Sequence, residues 1–126
     1  MNYFRVFFIL VIISGCESID SESPGVFPID MQTAYEEIFA LSASQNCSDP
    51  AEWKYTAYGS NPCGGPAGYI AYSQKINENY FLGLIERYTK LQSEYNQKSG
   101  AVSDCQMVIR PTALSCENGK PKFIYT

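Results

Sequence analysis

The apolar positions of the chain recur at different periods, and each period predicts an element. Val6 to Ile13 is an unbroken apolar run. Further on, Met31, Ala34, Ile38 and Leu41 fall at helical spacing with Glu36 and Glu37 on the outer side. With Asp30 as N-cap, this predicts a helix from Asp30 to Ser44, ended by the turn-rich segment Gln45 to Pro50. Trp53, Tyr55 and Ala57 then alternate with Lys54, Thr56 and Tyr58, the period of a half-buried strand, with Trp53 expected in the core. Phe81, Leu84, Tyr88, Leu91 and Tyr95 form one stripe, which predicts a helix from Asn77 to Ser99 stopped by Gly100. On its wet side Glu86 with Lys90 and Glu94 with Lys98 have ion-pair spacing. The tail reads as β: a strand over Gln106 to Ile109, a break at Arg110-Pro111, and strands Ala113 to Glu117 and Lys120 to Tyr125 joined at Asn118-Gly119. A two-residue turn sets Glu117 opposite Lys120, Cys116 opposite Pro121 and Leu114 opposite Phe123.

Between the first strand and the long helix lies Gly59-Ser60-Asn61-Pro62-Cys63-Gly64-Gly65-Pro66. Its prolines restrict φ and its glycines permit positive φ, so this backbone is bent tightly. Pro66 suits the first turn of a short third helix over Ala67 to Ser73, with Tyr69, Ile70 and Tyr72 against the core. The expected fold is α+β, two main helices and this third one packed on a small antiparallel sheet. A glycine turn ahead of a helix can cradle an anion, but the residues of a phosphate loop and the spacing of a dinucleotide fingerprint are missing. The favoured reading is a structural turn whose rigidity also suits it to contact a partner, through Gly59, Ser60, Asn61, Pro62, Gly64, Gly65 and Pro66.

The apolar run near the amino terminus ends at Ile13-Ser14-Gly15-Cys16, which resembles the lipobox of bacterial lipoproteins: an aliphatic residue, two small residues and a cysteine. Arg5 ahead of the run completes the layout of a secretory signal, and the run is far shorter than the ~20 residues that span a bilayer. The resemblance implies a signal peptide over 1–15, a diacylglyceryl group on Cys16, and a membrane, expected to be the outer one, as the site of anchoring. Glu17 to Phe27, rich in serine and acidic residues, reads as a flexible tether, leaving 28–126 as one small domain.

Cleavage before Cys16 removes Arg5 and takes the formal net charge from −4 to −5. An acidic chain without a basic cluster argues against nucleic acid. Cys47, Cys63, Cys105 and Cys116 remain, an even number that suits two disulfides in an oxidising compartment. Three pairings are open, and the one closing the shortest loops is Cys47 with Cys63 and Cys105 with Cys116, each bridge stabilising by about 2–4 kcal/mol. With no histidine and no Cys-x-x-Cys pair, zinc is the weaker reading, and no metal or cofactor is expected.

The absence of histidine also removes the usual general base. Glu36 and Glu37 diverge by about 100° on a helix, and Ser103-Asp104 reads as a turn, so no catalytic residue is assigned. Trp53, Gly59 to Pro66, Tyr69 to Ser73, Ser103 to Cys105 and Cys116 to Lys120 together resemble small disulfide-containing bacterial lipoprotein domains, a resemblance that implies no activity. The expected function is a non-enzymatic binding module of the cell envelope for protein or glycan, favoured by nine tyrosines after Cys16 if several are exposed. A structural envelope component and an inhibitor of an extracellular hydrolase are the alternatives.

Lipidation is directly testable. The intact mass of membrane-extracted protein should correspond to a chain starting at Cys16 with acyl mass added; a soluble product starting elsewhere would refute the anchor.

Overall fold

The computed structural model describes residues 28–126; the expected signal peptide, Cys16 and the expected tether lie outside the described residues. Helix α1 (Ile29–Ser42) is followed by a 3-10 turn (Pro50–Glu52), strands β1 (Trp53–Tyr58) and β2 (Gly68–Ser73), helix α2 (Glu78–Ser99), and strands β3 (Ala113–Glu117) and β4 (Lys120–Ile124). The architecture is α+β, with two helices and two separate two-stranded antiparallel sheets.

Both helices bury the stripes that their spacing predicts. Met31, Ala34 and Ile38 of α1 are buried against Phe81, Leu84, Ile85 and Tyr88 of α2, with Leu91 and Tyr95 packed at the margin. Asp30 is not the cap of α1. The carbonyl of Pro28 accepts from the N–H groups of Met31 and Gln32 at 2.9 and 3.0 Å, and Asp30 sits in the first turn, where its charge favours the helix dipole. At its far end Ser42 Oγ donates to the carbonyl of Ala71 at 2.6 Å, tying the helix to β2. In α2, Asn77 Oδ1 accepts from the N–H of Tyr80, and Gly100 ends the helix in the left-handed region (φ 62°). The ion pairs of the described residues are Lys54–Glu78, Lys75–Glu52 and Lys122–Glu117; neither Glu86–Lys90 nor Glu94–Lys98 is among them.

Residues 67–73 form no helix: Gly68–Ser73 is β2, in register with β1 from Trp53 opposite Ser73 to Tyr58 opposite Gly68. The short helical piece of the fold is instead the 3-10 turn at Pro50. The reason lies in burial. Ile70 and Tyr72 face the helices, whereas Ala71 joins Cys47 and Trp53 in a second cluster covered by Leu114, Cys116 and Phe123 of the β3–β4 hairpin. A strand covered on both faces loses the alternation that marks a half-buried one. β1 and β2 are thus the middle layer of three.

The C-terminal hairpin has the expected register, with Glu117 opposite Lys120, Cys116 opposite Pro121 and Leu114 opposite Phe123. Asn118 and Gly119 both have positive φ, 52° and 76°, as a type I′ turn requires. Glu117 bonds not to its opposite partner but diagonally to Lys122, at 2.8 Å on the same face. The expected strand at Gln106–Ile109 is absent, because neither sheet offers it a neighbour.

The two disulfides pair differently from the short-loop expectation: Cys47 with Cys116 and Cys63 with Cys105, at sequence separations of 69 and 42. Loop-closure entropy grows only logarithmically, so these bridges cost roughly 1 kcal/mol more apiece to close than the shorter alternatives. Tertiary placement decides. The N–H of Cys47 donates to the carbonyl of Gly119 at 2.8 Å, which holds Cys47 on the hairpin that carries Cys116. Non-reducing peptide mapping should recover Cys47–Cys116 and Cys63–Cys105; recovery of Cys47–Cys63 would contradict the layered packing itself.

Candidate functional site

The segment from Gly59 to Pro66 is the connection between β1 and β2, closed by the N–H of Ala67 donating to the carbonyl of Tyr58 at 3.0 Å. Its first two residues are held by a polar row on α2. The N–H of Gly59 donates to Thr89 Oγ1 at 2.9 Å and that of Ser60 to Gln92 Oε1 at 2.7 Å, while Asn96 Nδ2 donates to the carbonyl of Ser60 at 2.8 Å. Thr89, Gln92 and Asn96 are three and four residues apart, so one helix face carries the whole clamp.

Past the clamp the chain turns back on itself. The N–H of Asn61 donates to the carbonyl of Gly65 and the N–H of Gly64 to the carbonyl of Asn61, both at 2.9 Å, and Asn61 Oδ1 accepts from the N–H of Cys63 at 3.1 Å. The bridge to Cys105 fixes the tip from outside. With the N–H groups of Gly59, Ser60, Asn61, Cys63 and Gly64 all engaged within the protein, and a strand rather than a helix following, the turn lacks the donors of an anion cradle.

What the turn presents outward is different. Pro62, Gly64 and Gly65 are exposed, and no atom lies within 4 Å of a Cβ built on either glycine. Between the turn and α2 lies an open cleft of about 300 Å³, with Asn61 and Pro62 on one wall and Ser93 and Gln97 on the other. Of the expected contact residues, Pro62, Gly64 and Gly65 are accessible, Ser60, Asn61 and Pro66 are half-buried, and Gly59 is buried. The helix wall was missed by sequence reasoning. Its signal is a second row of amides and hydroxyls, Thr89, Gln92, Ser93, Asn96 and Gln97, beside the apolar stripe of the same helix.

The other chemistry-bearing groups are engaged in bonds within the fold. Glu78 accepts from Lys54 and from the hydroxyl of Tyr72, so it joins both strands to the start of α2. The bond to Lys54 is the chief reason its carboxyl is held below the usual range, and burial is the chief reason Tyr72 is pushed up to about 12. Glu37 does not converge with Glu36; it accepts from the hydroxyl of Tyr80, whose pKa is raised chiefly by that bond, while Glu36 accepts from Gln32. Ser103 and Asp104 make turn bonds to the N–H groups of Cys105 and Gln106. Tyr35, Tyr80 and Tyr125 are the exposed tyrosines; the others described are buried or half-buried, several of them in ring contacts. All four described cysteines are in disulfides, so none is available to a metal as thiolate.

Compared with protein-family models, curated proteins and solved structures, the chain gives no match. No helix among the described residues is long and apolar enough to cross a membrane.

Gly59 gives the site a stability test. At φ +74°, an added Cβ would lie 2.5 Å from Gln92 Oε1 and 2.7 Å from Ala67 Cβ, one of them fixed to backbone. Gly59→Ala should therefore destabilise by about 2 kcal/mol or more. Gly64→Ala meets only the φ penalty and should cost less, an order that thermal denaturation will report.

Proposed function

We propose that the protein is a non-enzymatic binding module, held at a bacterial envelope membrane through lipid on Cys16, that contacts a protein through the β1–β2 turn and its cleft. The observation that carries the reading is the division of the turn: its base is bonded to α2 and its tip bridged to Cys105, while Pro62, Gly64 and Gly65 are bare. A loop ordered in advance loses little conformational entropy on binding, and bare glycines let a partner approach the backbone closely. Protein is favoured over glycan because no aromatic ring lines the cleft among the described residues, whereas sugar faces pack on exposed aromatic rings. The two disulfides support an oxidising location.

Asn61→Arg is a poor probe, because the Asn61 side chain bonds the turn together. Pro62→Arg and Gln97→Arg alter the exposed walls on either side of the cleft and leave the hydrogen bonds of the turn in place. In pull-downs from envelope extracts with the full acylated protein, either variant should lose a discrete partner by at least about tenfold with unchanged melting temperature, the effect of a centrally placed contact. Equal recovery by both variants and wild type would refute the site.

A further inference from the structure

The exposed aliphatic side chains of this protein are unevenly placed. Val102, Met107, Ile109 and Val108, at 94%, 91%, 71% and 38% exposed, all lie on the irregular strap between α2 and β3, while Ile29 at 76% on α1 and Ile124 at 41% on β4 stand outside it. At its far end the N–H and hydroxyl of Thr112 both donate to the carbonyl of Ile124, so exposed Ile124 and Tyr125 adjoin it. Between residues 101 and 110 the ionisable side chains outside the disulfide are Asp104 and Arg110, which balance. Met107, Val108 and Ile109 are consecutive, and a concentration of apolar side chains that a fold holds in water marks an interaction surface. Here the bridge from Cys105 to Cys63 restrains the strap against the β1–β2 turn.

The position of Pro28 says what covers the strap. Pro28 lines the same cavity of about 480 Å³ as Leu91, Tyr95, Lys98 and Ser99, so the described chain begins beside the last turns of α2. Gly100 then turns α2 directly into the strap. The segment leading to Cys16 is thus attached near the root of the strap, and only the eleven residues 17–27 separate Pro28 from Cys16. Fully extended they reach at most roughly 40 Å. Resting on the acyl anchor at Cys16 proposed above, we propose that Val102, Met107, Val108 and Ile109 seat on the bilayer that holds the anchor, and so set the orientation of the domain on the membrane.

The depth of seating follows from the backbone. The strap's backbone-to-backbone bonds are at its ends, from Ala101 N–H to the carbonyl of Asn96 and from Thr112 N–H to that of Ile124, and between them the N–H groups of Cys105 and Gln106 donate to the side chains of Ser103 and Asp104. Unpaired backbone groups are excluded from lipid hydrocarbon but are tolerated among headgroups, so the contact is interfacial. The balanced charge of the strap requires no anionic lipid. Acyl chains supply the residence; the strap supplies the angle.

The test uses the full acylated protein in zwitterionic phosphatidylcholine vesicles containing lipid spin-labelled near the headgroup. Met107→Trp places an indole on the strap, Glu86→Trp places one on the exposed face of α2, and the native Trp53 is buried and gives a common background. Fluorescence of Met107→Trp should be quenched at least about twofold more than that of Glu86→Trp, as expected for an indole at the interface. If both proteins carry acyl mass and float with vesicles but quench equally, the strap proposal is overturned while the anchor stands. A chain without acyl mass at Cys16 overturns both. Strong quenching that disappears when envelope protein is added back, with cross-links from the strap to a protein, would reassign the strap to a protein partner and also overturn the proposal.

Discussion

A two-stranded ribbon is unstable in water unless both of its faces are dealt with, and the β1–β2 ribbon is the constraint from which this fold follows. Ile70 and Tyr72 on one face require the α1–α2 pair; Trp53 and Ala71 on the other require the β3–β4 hairpin. The hairpin in turn brings Leu114, Cys116 and Phe123 to the contact. The Cys47–Cys116 bridge makes the attachment covalent. Ser42 and Tyr55 add polar ties across the layers, to the carbonyls of Ala71 and Pro111.

The placement of the candidate site follows from the same layering. Because the ribbon lies along α2, the turn that joins its strands emerges over the second half of that helix, where the apolar stripe thins out toward half-buried Leu91 and Tyr95. There α2 no longer needs to bury a face, and its amides and hydroxyls are available to bind backbone. The helix therefore changes task along its length, from core in its first half to clamp in its second.

Elements with one wet face were legible in the sequence. The stripes of α1 and α2 and the Asn118-Gly119 turn each carry a period or a local backbone requirement that needs no knowledge of the rest of the chain; β1 was found as a strand, but its alternation fails at its end, where Ala57 is exposed and Tyr58 packs on the helix core. β2 was not legible, since Tyr69-Ile70-Ala71-Tyr72 is apolar on both faces and fits a buried strand as well as a helix. Gln106–Ile109 shows the converse, strand-forming residues without a neighbour to pair with. Of the site, the bent turn was visible from its glycines and prolines. The clamp was not, because Thr89, Gln92 and Asn96 on a helix look like ordinary solvated positions until the turn is known to lie over them.

The bridges are nested: Cys63–Cys105 lies wholly within the loop closed by Cys47–Cys116. A chain delivered amino terminus first into an oxidant shows Cys47 and then Cys63 before either native partner has arrived. Pairing in order of arrival therefore produces a wrong bridge, and one that spans β1 and forbids the layered core. The native arrangement needs either oxidation slower than delivery of the remaining chain or thiol exchange after it. For a chain oxidised as it arrives, correct pairing is thus a matter of timing, in which the arrival of Cys116 decides whether the first bond made can be kept.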